Sequence, residues 1–418
     1  MAREYKDSGI EWIGQIPKEW NAIRLKYLCT IQTGNKDTQD ATSDGIYPFY
    51  VRSPKVEKSE TYSFDGEGIL MAGDGVGAGR VFHHVFGKYA VHQRVYRLAN
   101  ITGINSSFLF YYISNLFGKE MDRGSAQSTV PSVRLPMLQN FIISAPSFSE
   151  QQKIADYLDK VCGEVDEMVA LQETMIEELK AYKQSVITEA VTKGLNPNVP
   201  MRDSGIDWIG EIPEHWGTQR LKTLGWTQNG ISQSGDYFGE DYAYPFVSYS
   251  DAYKNYSLPS PSGRANSSEE DRQRYSLIEG DVLFTRTSET IEEIGFASTC
   301  IETIPNSVYS GFLIRFRPTS DKLFKGFSKY YFRSHVHRAY FVKQMNIVTR
   351  ASLGQDLLKN LVVLLPPIDE QHSIVSYLDT KCSEIDSLIA LKQAKIEELK
   401  EYKKSVIYEY VTGKKEVV

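Results

Sequence analysis

The sequence has few cysteines and no long apolar run, and both absences narrow the kind of protein it encodes. Cys29, Cys162, Cys300 and Cys382 lie far apart, with no Cys-x-x-Cys pair. A disulfide framework and a zinc ribbon are therefore not expected, and a reducing cytoplasm is. No run of about 18 apolar residues occurs, and the first residues are polar rather than a signal-peptide core. We therefore expect a cytoplasmic chain without a membrane span.

Patterns that mark catalytic or metal sites are also missing. His83, His84 and His92 have no further ligands at suitable spacing, so no metal site is predicted. Residues 73–80 read Gly-Asp-Gly-Val-Gly-Ala-Gly-Arg and lack the Gly-Lys-Ser/Thr ending of a Walker loop. Strand-like residues follow this segment, which favours a turn between strands over a nucleotide site. With no Asn-Pro-Pro-aromatic segment of an adenine methyltransferase either, no catalytic residue is predicted.

Positive charge is concentrated in two stretches, although the chain of 418 residues has a net charge of −6. Residues 303–360 hold ten basic and two acidic residues, and residues 86–135 hold six basic and two acidic ones. Basic residues interleaved with Tyr, Phe and Asn suit a groove for a polyanion, and a solvated basic face is the alternative. The candidate DNA-binding residues are Arg80, Arg94, Arg286, Arg315, Arg317, Arg338, Lys343 and Arg350.

The chain contains an internal repeat with two different offsets. Residues 7–14 (DSGIEWIG) return as residues 203–210 (DSGIDWIG), an offset of 196. Residues 150–192 return as residues 370–412 with 24 of 43 positions identical, an offset of 220. The second copy therefore has 24 more residues between its matched ends. Two copies of one fold are expected, with divergent interiors and similar edges.

The second repeated block predicts a long helix in each copy. Apolar residues recur at steps of three and four along both blocks, and one apolar stripe on so long a helix requires a similar partner. Because the copies follow each other head to tail, a pseudo-two-fold relation would make the helices antiparallel and place residues 1–20 near the end of the second helix. The predicted seam between the helices comprises Leu158, Val165, Leu179, Leu378, Ile385 and Leu399.

These patterns predict an α+β chain with two mixed α/β domains separated by two long antiparallel helices. The predicted boundaries are 1–20 for the first short block, 21–148 for the first variable domain, 149–193 for the central helix, 194–216 for the linker and second short block, 217–368 for the second variable domain and 369–418 for the last helix.

Taken together, the repeated motifs resemble the specificity subunit of type I restriction–modification systems over essentially the whole chain. The resemblance rests on the twice-written Asp-Ser-Gly-Ile-x-Trp-Ile-Gly-x-Ile-Pro-x-x-Trp block and on Pro-x-x-x-Glu-Gln before each long helix. It implies that the variable domains are target recognition domains and that the helices form a coiled-coil spacer. It also implies a non-catalytic subunit that reads a bipartite, asymmetric target in double-stranded DNA.

The resemblance further implies partners and the cofactors that they hold. Two methyltransferase (modification) subunits would bring S-adenosylmethionine, and restriction subunits would bring ATP and Mg²⁺, with no cofactor on this chain. Two other functions remain open on the residues alone. One is a DNA-modifying enzyme with an unrecognised active site, and the other is a coiled-coil scaffold without a DNA role.

Overall fold

The computed structural model describes residues 3–124, 131–233, 235–288, 294–337, 340–341 and 351–417. The chain divides into two compact units. The first unit combines Met1–Glu173 with Lys392–Val418, and the second unit is Thr174–Leu391. The division falls within both long helices, so each unit contains one variable region and about half of each helix.

The first unit is mostly strands, followed by two helices and the start of a third. Its strands are β1 (Tyr5–Asp7), β2 (Gln15–Pro17), β3 (Asn21–Arg24), β4 (Thr30–Thr33), β5 (Tyr47–Tyr50), β6 (Glu57–Ser59), β7 (Phe64–Asp65), β8 (Gly68–Ala72), β9 (Phe82–Val85), β10 (Lys88–Val91), β11 (Val95–Ala99) and β12 (Ile142–Ala145). Its helices are α1 (Ser106–Gly124), α2 (Leu135–Asn140) and the first part of α3 (Phe148–Lys193).

The second unit repeats this order of elements with additional short helices. Its strands are β13 (Met201–Asp203), β14 (Glu211–Pro213), β15 (Gly217–Arg220), β16 (Gly225–Asn229), β17 (Tyr244–Val247), β18 (Gly263–Ala265), β19 (Val282–Thr285), β20 (Thr287–Ser288), β21 (Ala297–Thr299), β22 (Val308–Tyr309), β23 (Leu313–Pro318), β24 (Ala351–Ser352) and β25 (Val362–Leu365). Its helices are α4 (Leu221–Leu224), α5 (Tyr249–Lys254), α6 (Glu269–Arg274), α7 (Lys325–Tyr331), α8 (Gln355–Lys359) and the first part of α9 (Ile368–Val411).

The two units share one sheet topology, which confirms the predicted duplication. The order β4-β11-β8-β9 in the first unit corresponds to β16-β23-β19-β21 in the second. A second sheet pairs β5 with β10 in parallel, and its counterpart pairs β17 with β22 in parallel. Gly34 and Gly230 directly follow the equivalent strands β4 and β16, and a Cβ at either would collide with a backbone carbonyl oxygen. Glycine is needed at both places because two backbones approach closely there.

The repeated Pro-x-x-x-Glu-Gln motif fastens each long helix to its variable domain. The buried Gln151 side chain donates to the Pro146 carbonyl oxygen at 2.9 Å and accepts from the Asn105 backbone N–H at 2.7 Å. Gln371 donates to the Pro366 carbonyl oxygen at 2.9 Å and accepts from the Phe324 N–H at 2.8 Å. Buried amides that satisfy backbone groups in this way fix the start of each helix against its domain.

A second repeated contact holds each domain farther along its helix. The Tyr111 hydroxyl donates to Asp159 at 2.7 Å, and the Tyr330 hydroxyl donates to Asp379 at 2.6 Å. Burial, followed by the neighbouring carboxylate, raises the pKa of both phenols above the ordinary range. Both hydroxyls therefore remain protonated donors at neutral pH.

The long helices run antiparallel where they pack within each unit, as predicted. In the first unit Asp166 accepts from Lys403, and Gln172 accepts from Lys392, so one helix advances as the other returns. In the second unit Lys183 donates to Asp386 at 2.7 Å. The two helices begin at residues 148 and 368, one residue before the predicted starts, and α9 ends at Val411 rather than Val418.

The predicted seam residues lie along the two helices, and all but Leu179 are buried. Leu158 belongs to a buried cluster that includes Val406, Ile407 and Val411, and Val406 is one of the apolar residues that recur along the second block. Leu378 belongs to a buried cluster that includes Val186, Ile187 and Val191. Val165, Ile385 and Leu399 are buried as well, and Leu179 is half-buried.

The N-terminal block packs on the end of the second long helix, as the repeat predicts. The Tyr408 hydroxyl donates to the Trp12 carbonyl oxygen at 2.9 Å, and the Lys414 ammonium donates to the Ile13 carbonyl oxygen at 2.8 Å. Trp20 and its counterpart Trp216 are both fully buried. The tryptophans at the ends of the short blocks therefore serve the core of each unit.

Candidate DNA interface

One backbone arrangement occurs at the same place in both units, where two turns meet beside the central sheet. In the first unit the Gly73 N–H donates to the Arg94 carbonyl oxygen at 2.8 Å, and the Val133 N–H donates to the Gly73 carbonyl oxygen at 2.7 Å. Gly73 follows strand β8, and Arg94 lies in the turn between β10 and β11. Segment 73–81 is thus a connection between strands β8 and β9, as predicted from its sequence.

In the second unit the same hydrogen bonds form between different residues. The Arg286 N–H donates to the Phe312 carbonyl oxygen at 2.8 Å, and the Leu353 N–H donates to the Arg286 carbonyl oxygen at 2.7 Å. Arg286 is therefore the counterpart of Gly73, and Phe312 is the counterpart of Arg94. We call this shared arrangement of two hydrogen-bonded turns the paired-turn frame of each unit.

The side chains on the first paired-turn frame are polar, with two arginines around one aspartate. Asp74 accepts from Arg52 at 3.0 Å and from Arg94 at 2.7 Å, and the two arginine side chains are 46% and 61% exposed. Partial burial acts to raise the pKa of Asp74, but the hydrogen bonds from Arg52 and Arg94 hold it below its usual range. The carboxylate thus stays ionised and orients two guanidinium groups toward solvent. Arg80 is more than half exposed and pairs with Asp122 at 2.5 Å.

A recess of about 630 Å³ lies beside these arginines. Its walls are both apolar and polar, and include Val51, Pro54, Val81, Asp74 and the buried His92. Val76 at the tip of the loop is 95% exposed. Guanidinium groups next to apolar surface suit the major groove, where arginine donates to guanine and apolar groups contact the thymine methyl.

The second paired-turn frame presents an aromatic side chain. Phe312 is 61% exposed, and Arg286 is half-buried. An exposed phenyl ring is uncharged and cannot pair with a phosphate group. It suits apolar contact with a base edge or a base step. The two frames therefore offer different chemistry at equivalent positions.

Arg315 and Arg317 lie inside the second domain, in contrast to their predicted place on a DNA-binding surface. Arg315 is fully buried, donates to the Ser276 carbonyl oxygen and to Gln228, and lies 4.7 Å from the Trp226 ring. Desolvation by burial lowers the pKa of its guanidinium. Arg317 forms a two-point ion pair with the fully buried Asp281 at 2.7 and 2.6 Å. Arg315 thus connects β23 to Gln228 of strand β16, and Arg317 connects β23 to Asp281, the residue before β19.

The remaining candidates fall in different places. Arg338, Lys343 and Arg350 lie outside the described residues. Arg80 and Arg94 lie on or next to the paired-turn frame of the first unit, and Arg286 lies on that of the second. Sequence reasoning missed Arg52 and Phe312, because Arg52 lies outside both basic stretches and Phe312 carries no charge. A signal existed for Asp74 only, as the acidic residue within a glycine-rich turn that ends in arginine.

The described part of the chain forms neither a metal site nor a membrane span. Among the residues that the structure describes, no group of three or more His, Cys, Asp or Glu side chains is placed to hold a metal ion. Within the described ranges, no helix is both long and apolar enough to cross a membrane. His84 of the histidine cluster pairs with Glu67 at 2.9 Å.

The chain has two variable domains on paired long helices, and each domain has its own paired-turn frame. These features define a duplicated recognition protein. The model of the type I restriction modification DNA specificity domain matches residues 17–181 and 213–401. The chain belongs to this family.

Known relatives support the same assignment. The type I restriction enzyme MjaVIII specificity subunit of Methanocaldococcus jannaschii is 23% identical over 438 aligned positions, covering 96% of this chain and 94% of the relative. The EcoDI specificity subunit of Escherichia coli is 28% identical over 206 positions, which span 49% of this chain and 41% of that subunit. The chain thus matches less than half the length of the EcoDI subunit and nearly all of the MjaVIII subunit.

A solved structure has the same fold. A chain from work on complex assembly and conformational transition of the type I R-M system superimposes with a TM-score of 0.67 at 17% identity. The alignment covers 95% of this chain and 99% of that chain. At this identity the likeness concerns the fold.

Proposed function

We propose that this chain reads a bipartite DNA sequence, in which each unit contacts one half-site through the side chains on its own paired-turn frame. The observation that carries the proposal is the pair of equivalent positions Arg94 and Phe312. The backbone hydrogen bonds at these positions are alike, but one side chain is a cation and the other an aromatic ring. A shared frame with different side chains is what two readers of different sequences require.

The spacing between half-sites follows from the two long helices. Since about 10 base pairs return the same groove to the same face, the half-sites are expected roughly one helical turn or somewhat more apart. The intervening bases would be read only through their deformability. The helices act as the spacer, and the domains act as the readers.

We further propose that the chain is a non-catalytic scaffold for two modification subunits and for restriction subunits. Exposed apolar residues recur at equivalent positions on the two long helices: Met168 with Leu388, Leu171 with Leu391, and Tyr182 with Tyr402. A duplicated apolar surface favours two copies of one partner. S-adenosylmethionine, ATP and Mg²⁺ would be held by those partner subunits.

Exchange of one variable domain tests the reading function. Residues 217–368 are replaced by the second variable domain of another family member, and the methylated target is mapped in cells that hold the partner subunits. We expect one half-site to change and the other to remain. A target that changes in both halves, or in neither, would contradict separate readers.

A salt titration tests the proposed DNA binding separately from any catalysis by the partner subunits. The assembled complex without ATP should bind its target duplex more weakly as salt rises, with a linear slope on logarithmic axes. Binding that ignores salt, or no binding at all, would favour a scaffold without a DNA role.

A further inference from the structure

The end of the first long helix differs from the end of the second at a groove that both units contain. In the first unit the ring of Tyr410 packs against Tyr157, with ring centroids 4.5 Å apart. Beside this ring pair, Lys415 forms an ion pair with Glu409 at 2.7 Å. The first unit thus fills its groove with an aromatic ring and neutralises the adjacent carboxylate from its own chain.

The equivalent residues of the second unit leave the groove unfilled. At the offset of 220, Tyr410 corresponds to Ala190, whereas Tyr157 and Glu409 keep their identity as Tyr377 and Glu189. After the helices the offset is 219, since Gly194 and Gly413 share a positive φ and face the equivalent Trp216 and Trp20, so Lys415 corresponds to Asn196. A recess of about 630 Å³ opens at this place, lined by Val186, Ala190, Pro197, Met201 and Tyr377. Tyr377 is 38% exposed, whereas Tyr157 is half-buried beside Tyr410.

The carboxylate at the rim of this recess also lacks its cation. Among the described residues, no cationic side-chain nitrogen lies within 4.0 Å of the Glu189 carboxylate, whereas Lys415 lies 2.7 Å from Glu409. Glu211 lies on the same rim and is exposed. Lys193 lines the recess as well, so the two carboxylates leave its rim with a net negative charge, and its walls are both apolar and polar. Such a rim suits an aromatic group that has a cation next to it.

We propose that the recess of the second unit receives an aromatic side chain of the modification subunit, with a neighbouring basic residue that pairs with Glu189. The proposal rests on the scaffold part of the proposed function. The occupant is defined by the first unit, where Tyr410 and Lys415 already supply this combination to the same groove. Aromatic side chains that enter a preformed pocket commonly anchor protein interfaces.

One consequence is that the two copies of the modification subunit are held unequally. The copy at the second unit would gain an anchor that the copy at the first unit cannot use, because Tyr410 occupies that groove. The duplicated surface of the long helices remains common to both copies. The second unit should therefore retain its partner longer.

Site-specific photo-cross-linking tests this inference in the assembled complex. Tyr377→p-benzoylphenylalanine places the cross-linker at the open groove, and Tyr157→p-benzoylphenylalanine is the matched control at the filled groove. We expect position 377 to cross-link to the co-expressed modification subunit next to an aromatic and a basic residue, and position 157 to give only cross-links within this chain. Assembly without an intermolecular cross-link at position 377, or equal cross-links at both positions, would overturn the inference.

A second pair of variants tests the same groove by filling it. Ala190→Tyr with Asn196→Lys copies the first unit, so the fold already accommodates these residues at the equivalent place. The variant should keep its melting temperature and its first bound modification subunit, and lose affinity for the second by about tenfold. Glu189→Lys, at an exposed position, should weaken the same step. Unchanged affinity in both variants would contradict the inference, and a wild-type chain that binds no modification subunit would overturn both it and the scaffold proposal.

Discussion

Arg94 and Phe312 occupy equivalent positions in the two units, and each accepts one backbone N–H at 2.8 Å, from Gly73 and Arg286 respectively. The equality of these contacts shows that the turn is built in the same way twice. The two side chains therefore differ although the backbone hydrogen bonds around them are the same. Such a position is well suited to set sequence preference without disturbing the domain.

Replacing Arg94 by alanine should relax one half-site and leave the other unchanged. The guanidinium is 61% exposed, so little stability should be lost. If Arg94 contacts a base, binding should weaken by about 1–3 kcal/mol and one position of the target should lose its preference. Selection from a randomised DNA library measures both. Lys180→Ala, an exposed change on the long helix, is the control. A uniform loss over all sequences would instead identify a phosphate contact.

Replacing Phe312 by alanine should alter the other half-site. The ring is 61% exposed and uncharged, so the salt dependence of binding should stay the same while base preference is relaxed. The same library selection, combined with a salt titration, checks this result. A changed salt slope, or a changed preference in the half-site that Arg94 affects, would be evidence against two separate readers.

Replacing Arg317 by alanine should destabilise the second domain rather than alter its DNA preference. The change leaves the fully buried carboxylate of Asp281 without its cation, which typically costs about 3–5 kcal/mol. Lys359→Ala removes an exposed pair with Asp356 and should cost at most about 1 kcal/mol. Chemical unfolding compares the two variants. Full stability with weak DNA binding in the Arg317 variant would return this residue to the DNA interface.

Replacing Gln151 by alanine should loosen the first long helix from its domain. The Asn105 N–H would lose its buried acceptor, and an unsatisfied buried group costs about 1–3 kcal/mol. Gln152→Ala, one residue farther on and exposed, should cost less. Thermal unfolding measures both, and an equal loss in the two variants would show that the motif does not act through this contact.

The sequence predicted the duplication and the antiparallel helices because both follow from residues that recur in the chain itself. The sequence did not specify which residue of one stripe faces which residue of the other, since an apolar stripe with a regular period fits several registers. The packed clusters, such as the one that contains Leu158 and Val406, select one register. The pair of Arg315 and Arg317 shows a further limit. They lie two residues apart on strand β23, hence on one face of the sheet, and contact Ser276 and Asp281, which no local pattern connects to them.

Selection of bound DNA from a random library by the assembled wild-type complex tests the central claim most directly. Two separate readers on a fixed spacer should enrich two short, different sequence blocks separated by an unread gap of constant length, roughly 10 base pairs from centre to centre or somewhat more. Enrichment of a single continuous palindrome, or of no sequence at all, would contradict the account.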